Sequence, residues 1–247
     1  MVAGTNTIVS LSGLRGGVGT TSLTALLADA LRNMGESVLV VDLNYADLLR
    51  LHFDVQYSSK KGWFGVLDNL ADWESQIHEI DEGFWLLPYG RNVRHDRRAS
   101  RRQCDALWQL LVQESALLQT RLNPQWVLFD APTEPFVSAE LFLLSDYHFL
   151  VCEVDIAAHV LLNQKTVHEK SYLLLNKFNP DDQLGSDIVL DWNMRYGEQV
   201  LPVSFYQDSH IPQSLAHKST AVSHFIGSSA AQNARVLAHW CLAQRRE

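Results

Sequence analysis

The stretch that most constrains this chain is Leu14-Arg15-Gly16-Gly17-Val18-Gly19-Thr20-Thr21-Ser22. It follows an apolar run, Thr7 to Leu11, and opens onto an apolar-periodic segment, Leu23 to Leu31. Strand, glycine-rich turn and helix in succession are the setting that a phosphate-binding loop requires. Gly16, Gly17 and Gly19 allow backbone conformations closed to bulkier residues, so successive N–H groups can converge on an anion. The following helix adds the partial positive charge of its N-terminus. Thr21 stands where such a loop places the hydroxyl that binds Mg²⁺. The position after Gly19, where a phosphate-reaching lysine belongs, is held by Thr20, and the nearest positive charge is Arg15 at the loop's start.

Downstream, the pattern alternates between strand and helix. A helix is expected from Thr20 to Met34, ended by Gly35. The β-branched run Ser37 to Asp42 reads as a strand buried on both faces. A short helix is expected around Trp63 to Leu70 and a strand at Phe84 to Pro88. A further helix covers Cys104 to Leu122, and a strand at Gln125 to Asp130 follows it. Strands at Tyr147 to Asp155 and Ser171 to Phe178 flank a helix at Ala157 to His168. A helix at Asp187 to Tyr196 precedes a strand at Val200 to Phe205. The terminal helix, Ala230 to Gln244, sets Val236, Leu237, Trp240 and Cys241 on one side, for packing on the sheet rather than on lipid. This order implies an α/β fold: a doubly wound, mostly parallel sheet with helices on both faces, forming one domain over residues 1–247.

Composition narrows the function. With 47% hydrophobic residues in 247, the chain can bury a large core. A formal charge of −8 argues against general nucleic-acid binding, which needs Lys and Arg to neutralise phosphate. The one strongly basic stretch, Arg91 to Gln103, reads as a solvated face or as an anion-contacting patch. Cys104, Cys152 and Cys241 are odd in number and widely spaced, which suits reduced thiols in the cytoplasm. Neither a signal peptide nor a membrane span is expected.

Three features converge at the carboxyl edge of such a sheet: the loop Arg15 to Ser22, Asp42 and Asp130. In a P-loop site the backbone cradles phosphate, and the hydroxyl and strand-end carboxylates hold the metal. Thr21, Asp42 and Asp130 are therefore the candidate Mg²⁺ residues.

With both lysine positions changed, the loop resembles the deviant P-loop of the ParA/MinD ATPases, K-G-G-x-G-K-[ST]-[ST]. Across almost the whole chain the sequence resembles the ParA/MinD-type family of bacterial cellulose synthesis operons (the BcsQ, or YhjQ, type). The residues that carry this are Arg15 to Thr21, Val40-Val41-Asp42, Leu48-Leu49-Arg50-Leu51, Gly62-Trp63, Leu86-Leu87-Pro88 and Trp240-Cys241-Leu242. The resemblance implies a homodimer that binds ATP and Mg²⁺, with nucleotide at the interface. It also implies a small accessory subunit, and recruitment from the cytoplasm to the inner membrane through a cellulose synthase complex. By the same resemblance, Asn176 reads the adenine and Pro202 to Gln213 form a loop over the base. Asp42 matches the first carboxylate of the family's switch, and Asn44 replaces the second, which activates water. Glu134 replaces a glycine of the second switch. Loss of a preorganised group costs roughly 10²–10³ in rate, so ATP hydrolysis is expected to be weak or absent.

Two active-enzyme alternatives stand beside this reading. Gly17-Val18-Gly19-Thr20-Thr21-Ser22 nearly matches G-x-G-x-x-G, with Asp42 where a NAD-dependent oxidoreductase keeps its ribose-binding acid, but Ser22 replaces the third glycine. A partition-type ATPase acting on DNA would draw support from the arginine cluster alone. A nucleotide-free scaffold would share the fold.

Overall fold

The computed structural model describes residues 6–90, 122–133, 141 and 145–245. The arginine cluster at 91–102, Glu134 and all but Leu122 of the helix expected from Cys104 to Leu122 lie outside them. Among the described residues, one eight-stranded sheet runs β3-β4-β2-β5-β1-β6-β7-β8. Its strands are β1 (Thr7–Gly13), β2 (Val38–Asp42), β3 (His78–Asp81), β4 (Phe84–Leu87), β5 (Trp126–Ala131), β6 (Tyr147–Glu153), β7 (Ser171–Phe178) and β8 (Val200–Tyr206). Every pairing is parallel except β3 with β4. Every residue of β2 and β5 is buried, as strands with helices over both faces must be. The doubly wound, mostly parallel sheet expected from the alternation is present.

Among the described residues, the α-helices include α1 (Thr20–Asn33), α2 (Ile156–Asn163), α3 (Gln183–Tyr196), α4 (His210–Ala216), α5 (Ala221–His224) and α6 (Ser229–Gln244). Helix α1 follows the glycine-rich loop and buries nine consecutive residues, Leu23 to Leu31. Its end is closed by Gly35 at φ +85°, with Gly35 N–H donating to Arg32 O (2.9 Å) and Glu36 N–H to Leu31 O (3.2 Å). That pair of bonds satisfies the terminal carbonyls and turns the chain into β2. Helices α2 and α3 start on aspartate caps, Asp155 accepting from Ala158 N–H and Asp182 from Leu184 and Gly185 N–H.

Several expected elements are corrected. Strand β3 has no counterpart in the expected set: His78-Glu79-Ile80-Asp81 carries one apolar residue, and its pairing comes from the hairpin onto β4. A charged outer strand protects a sheet edge against further pairing. The segment Trp63–Gln76 is 3₁₀ rather than α-helical, and α2 ends at Asn163 instead of His168. Helix α6 keeps Leu237, Trp240 and Cys241 of its expected inward face and is corrected at Val236. Ala230, Ala231, Ala234, Leu237, Ala238 and Cys241 are buried, whereas Val236 is 49% exposed. Small side chains let α6 lie in one core cluster with α1. Trp240 packs edge-on against Tyr147, Phe149 and Tyr172 at 5.8, 5.8 and 5.1 Å. The terminal helix therefore packs on the sheet.

Two buried histidines have a measurable consequence. His148 lies between the Ser12 hydroxyl (2.8 Å) and the Ser171 hydroxyl (3.1 Å), and burial lowers its pKa to about 3. Burial lowers that of His52 to about 4. Both imidazoles are neutral in the folded chain, so the unfolded chain binds more protons below pH 6.5. Their contribution to stability is complete above that pH and is lost as pH falls toward the folded values. NMR titration should find both rings unprotonated at pH 5, where an unperturbed histidine is charged.

Candidate functional site

The glycine-rich loop leaves the carboxyl end of β1, between β5 and β6, at the point where the sheet order reverses. Ligands of open α/β sheets collect at that crevice. Gly17 and Gly19 have φ of +79° and +93°. A Cβ on Gly19 would stand 2.5 Å from Asn176 Nδ2, so this position requires glycine twice over, for its backbone angle and for the close approach.

Parallel register brings the two strand-end carboxylates together, with Asp42 of β2 opposite Asp130 of β5. The Thr21 hydroxyl donates to Asp130 Oδ2 at 2.7 Å. Asp42 is 0% exposed and accepts from Asn44 N–H (2.8 Å) and Leu49 N–H (3.3 Å). Burial holds the Asp42 carboxyl well above the usual carboxylate range, reinforced by Asp130 and Asp47 and opposed by the two N–H bonds. Burial likewise pushes Asp130 up to about 7, against the Thr21 bond. Asp130 Oδ1 is buried without a hydrogen-bond partner among the described residues. Two buried acids, an adjoining hydroxyl and an unsatisfied carboxylate oxygen suit a hard divalent cation, which prefers oxygen ligands. A bound Mg²⁺ would neutralise this pair and screen phosphate charge. Thr21, Asp42 and Asp130 are the residues that would hold it.

The segment after β2 is tied down. Asn44 Oδ1 accepts from Ala46 N–H (3.1 Å), and Trp63 Nε1–H donates to Asp42 O (2.7 Å). Arg50, 0% exposed, donates to Gln56 O (3.1 Å), Ser59 O (2.8 Å) and Lys61 O (2.8 Å). Its Nη2 also pairs with Asp47 at 2.8 Å. Asp47, the first acid after Asn44, is thus buried against a guanidinium. Sequence reasoning noted Arg50 only as part of a resembling run. Its role rests on carbonyls six to eleven residues away, which no side-chain spacing signals.

Arg15 bonds within its own chain, through Nη2 to Glu153 (2.7 Å) and to Asp155. Asn176, 3% exposed at the end of β7, donates from Nδ2 to Val18 O (2.7 Å). Its Oδ1 is buried without a hydrogen-bond partner among the described residues. Pro202 requires correction. It lies inside β8, between the positions paired with Leu173 and Leu175, and forms no loop over a base. An outer strand tolerates proline because its outward N–H needs no partner. The expected segment leaves the strand only after Tyr206, passing through residues 207–209 into α4. Arg15, Gly16, Gly17, Val18, Gly19, Thr20, Thr21, Ser22, Asp42, Asp130 and Asn176 meet at one edge, and Pro202 does not. Sequence reasoning missed Glu153 and Lys177, which also stand against the loop.

A family model described as cellulose biosynthesis protein BcsQ matches residues 6–242. The chain is 30% identical over 240 residues to the cellulose biosynthesis protein BcsQ of Escherichia coli, covering 95% of this chain and 94% of that one. To the Salmonella typhimurium protein of the same description it is 32% identical over 241 residues, with the same coverage. Among solved structures it is similar to the MinC:MinD cell division protein complex of Aquifex aeolicus (TM-score 0.73, 15% identity, 98% of this chain and 97% of that chain). It is also similar to the septum site-determining protein MinD complexed with Mg-ADP from Pyrococcus horikoshii (TM-score 0.71, 22% identity, 97% and 98%). A ParA family ATPase of Chlorobium tepidum gives a TM-score of 0.72 at 14% identity, covering 95% and 99%. These neighbours place the fold with the MinD/ParA P-loop proteins.

Proposed function

The chain belongs to the cellulose biosynthesis protein BcsQ family, and from that premise we propose that it is an ATP-binding assembly factor of cellulose synthesis and secretion. The observation that carries the nucleotide reading is the Thr21–Asp130 bond beneath the glycine-rich loop, beside Asp42 and with Asp130 Oδ1 unsatisfied. Backbone N–H groups of the loop bind the phosphates, and the α1 N-terminus adds favourable potential. The buried Asn176 Oδ1 accepts from the exocyclic amine of adenine, a donor that a purine amine supplies. Arg15 exchanges its carboxylate partners for phosphate when two copies close over the nucleotide. Binding holds the two copies together, and hydrolysis is slow. The Asn44 amide takes no proton from water, and Asp47 is neutralised by Arg50. The nucleotide-bound dimer acts in the cytoplasm through a small accessory subunit and reaches the inner membrane through the synthase complex, without binding nucleic acid. No helix of the described residues is long and apolar enough to cross a membrane.

Thermal unfolding with ATP, ADP or NAD in the presence of Mg²⁺ tests the ligand. ATP at a hundredfold excess over its Kd should add about 2.7 kcal/mol of stability, and NAD should add nothing. Stabilisation by NAD alone would establish the dinucleotide alternative. Extraction of nucleotide from the purified protein should yield ATP with its γ-phosphate intact.

A further inference from the structure

The loop has lost its lysine at Thr20, and the fold brings another one to it. Lys177 Nζ donates to Gly17 O at 2.8 Å, across 160 positions of sequence, and approaches Glu153 Oε2 at 3.3 Å. Its neighbour Asn176 donates to Val18 O at 2.7 Å. Two consecutive residues of β7 therefore grip two consecutive carbonyls of the loop.

A regular strand cannot do this, because successive side chains point to opposite faces. Lys177 has φ of +54°, a left-handed conformation that a residue with a Cβ adopts at a cost. At the same place the pairing of β7 with β8 changes register, between Leu175 and Phe178. That irregularity interrupts the alternation and lets both side chains reach the loop. On the other side of the contact, the absent Cβ of Gly19 leaves room for Asn176 Nδ2. The strained lysine, the register shift and the glycine belong to one arrangement.

The geometry points to Lys177 as the positioning residue of this loop, a cation brought to it by the fold where the lysine at Thr20 is absent. Bonds drawn from the outer carbonyls at Gly17 and Val18 fix the peptide planes, which orients the intervening N–H groups for an anion before it arrives. Such preorganisation strengthens binding by lowering what the loop must give up in conformational freedom. The ammonium also adds a positive charge beside the loop, shared with Glu153 at 3.3 Å, that favours a polyphosphate. The class of ligand is a nucleoside polyphosphate, so the inference rests on the function proposed above.

Two full-length variants test it. Lys177→Met keeps the apolar stem and removes the ammonium, and Lys177→Arg keeps a permanent charge and a donor. Each is titrated with a fluorescent ATP analogue and Mg²⁺ at low and high salt, and its nucleotide-free thermal unfolding is recorded. The methionine variant should bind about 10- to 100-fold more weakly, the range for losing a hydrogen bond to a charged group. Its affinity should depend less on salt than that of the wild type. Arginine should restore most of the affinity, and nucleotide-free unfolding should stay at the wild-type temperature in both. A methionine variant that binds like the wild type overturns the role of Lys177 while leaving nucleotide binding intact. So does a loss that arginine does not recover. A wild-type protein that binds no ATP removes both this inference and the function beneath it.

Discussion

Thr20→Lys combined with Asn44→Asp should raise single-turnover phosphate release from bound ATP by roughly 10²–10³-fold, the effect of one preorganised electrostatic group. Asn44→Asp alone should achieve less. Asn44 already accepts from Ala46 N–H through its side-chain oxygen (3.1 Å), so aspartate can keep that bond and gain a basic oxygen. Thr20 opens α1 directly above the loop, where a lysine would meet charge developing on the phosphates. Asp47 does not perform the missing task in the wild type, because its carboxylate is buried against Arg50 at 2.8 Å. Radiolabelled ATP and released phosphate give the measurement. A wild-type turnover near 1 s⁻¹, the lower end of typical enzyme rates, would mean that the surviving groups suffice and that slow hydrolysis is the wrong reading.

Arg50→Met should destabilise the protein by about 3–5 kcal/mol, the cost of removing one partner from a buried ion pair. The loss has two sources. Asp47, itself buried, loses the guanidinium that faces it. The carbonyls of Gln56, Ser59 and Lys61 lose their donor together, which releases the segment that follows β2. Urea unfolding of the two proteins measures the difference. Arg50→Met combined with Asp47→Leu should recover part of it, since removing both charges of a buried pair is often close to neutral. If the single variant matched the wild type, the pair would be a solvated contact and the segment would be held by its other bonds.

The glycine-rich loop was legible in the sequence because its requirements are local. Gly17 and Gly19 take positive φ within a strand–turn–helix whose hydrophobic pattern declares itself over 25 residues. The same holds for β2 and β5, continuous apolar runs that end in Asp42 and Asp130. Their pairing opposite one another follows from parallel register, so the fold class and the carboxylate pair could be expected together. Strand β3 could not, since a four-residue polar edge takes its conformation from the strand beside it. The family resemblance places Pro202 in a loop, whereas the strand pattern at Val200 to Phe205 already contains it, and the pairing with β7 sets it inside an outer strand.

What tertiary structure alone decided is how the charges are arranged. Arg15 meets Glu153 from 138 positions away, and Lys177 meets Gly17 from 160. Such contacts depend on which strand lies next to which, and on a single left-handed residue that reverses where a side chain points. A sequence states a backbone preference within a few residues. Whether a charge is paired, buried or turned to a ligand depends on neighbours that only the completed sheet supplies.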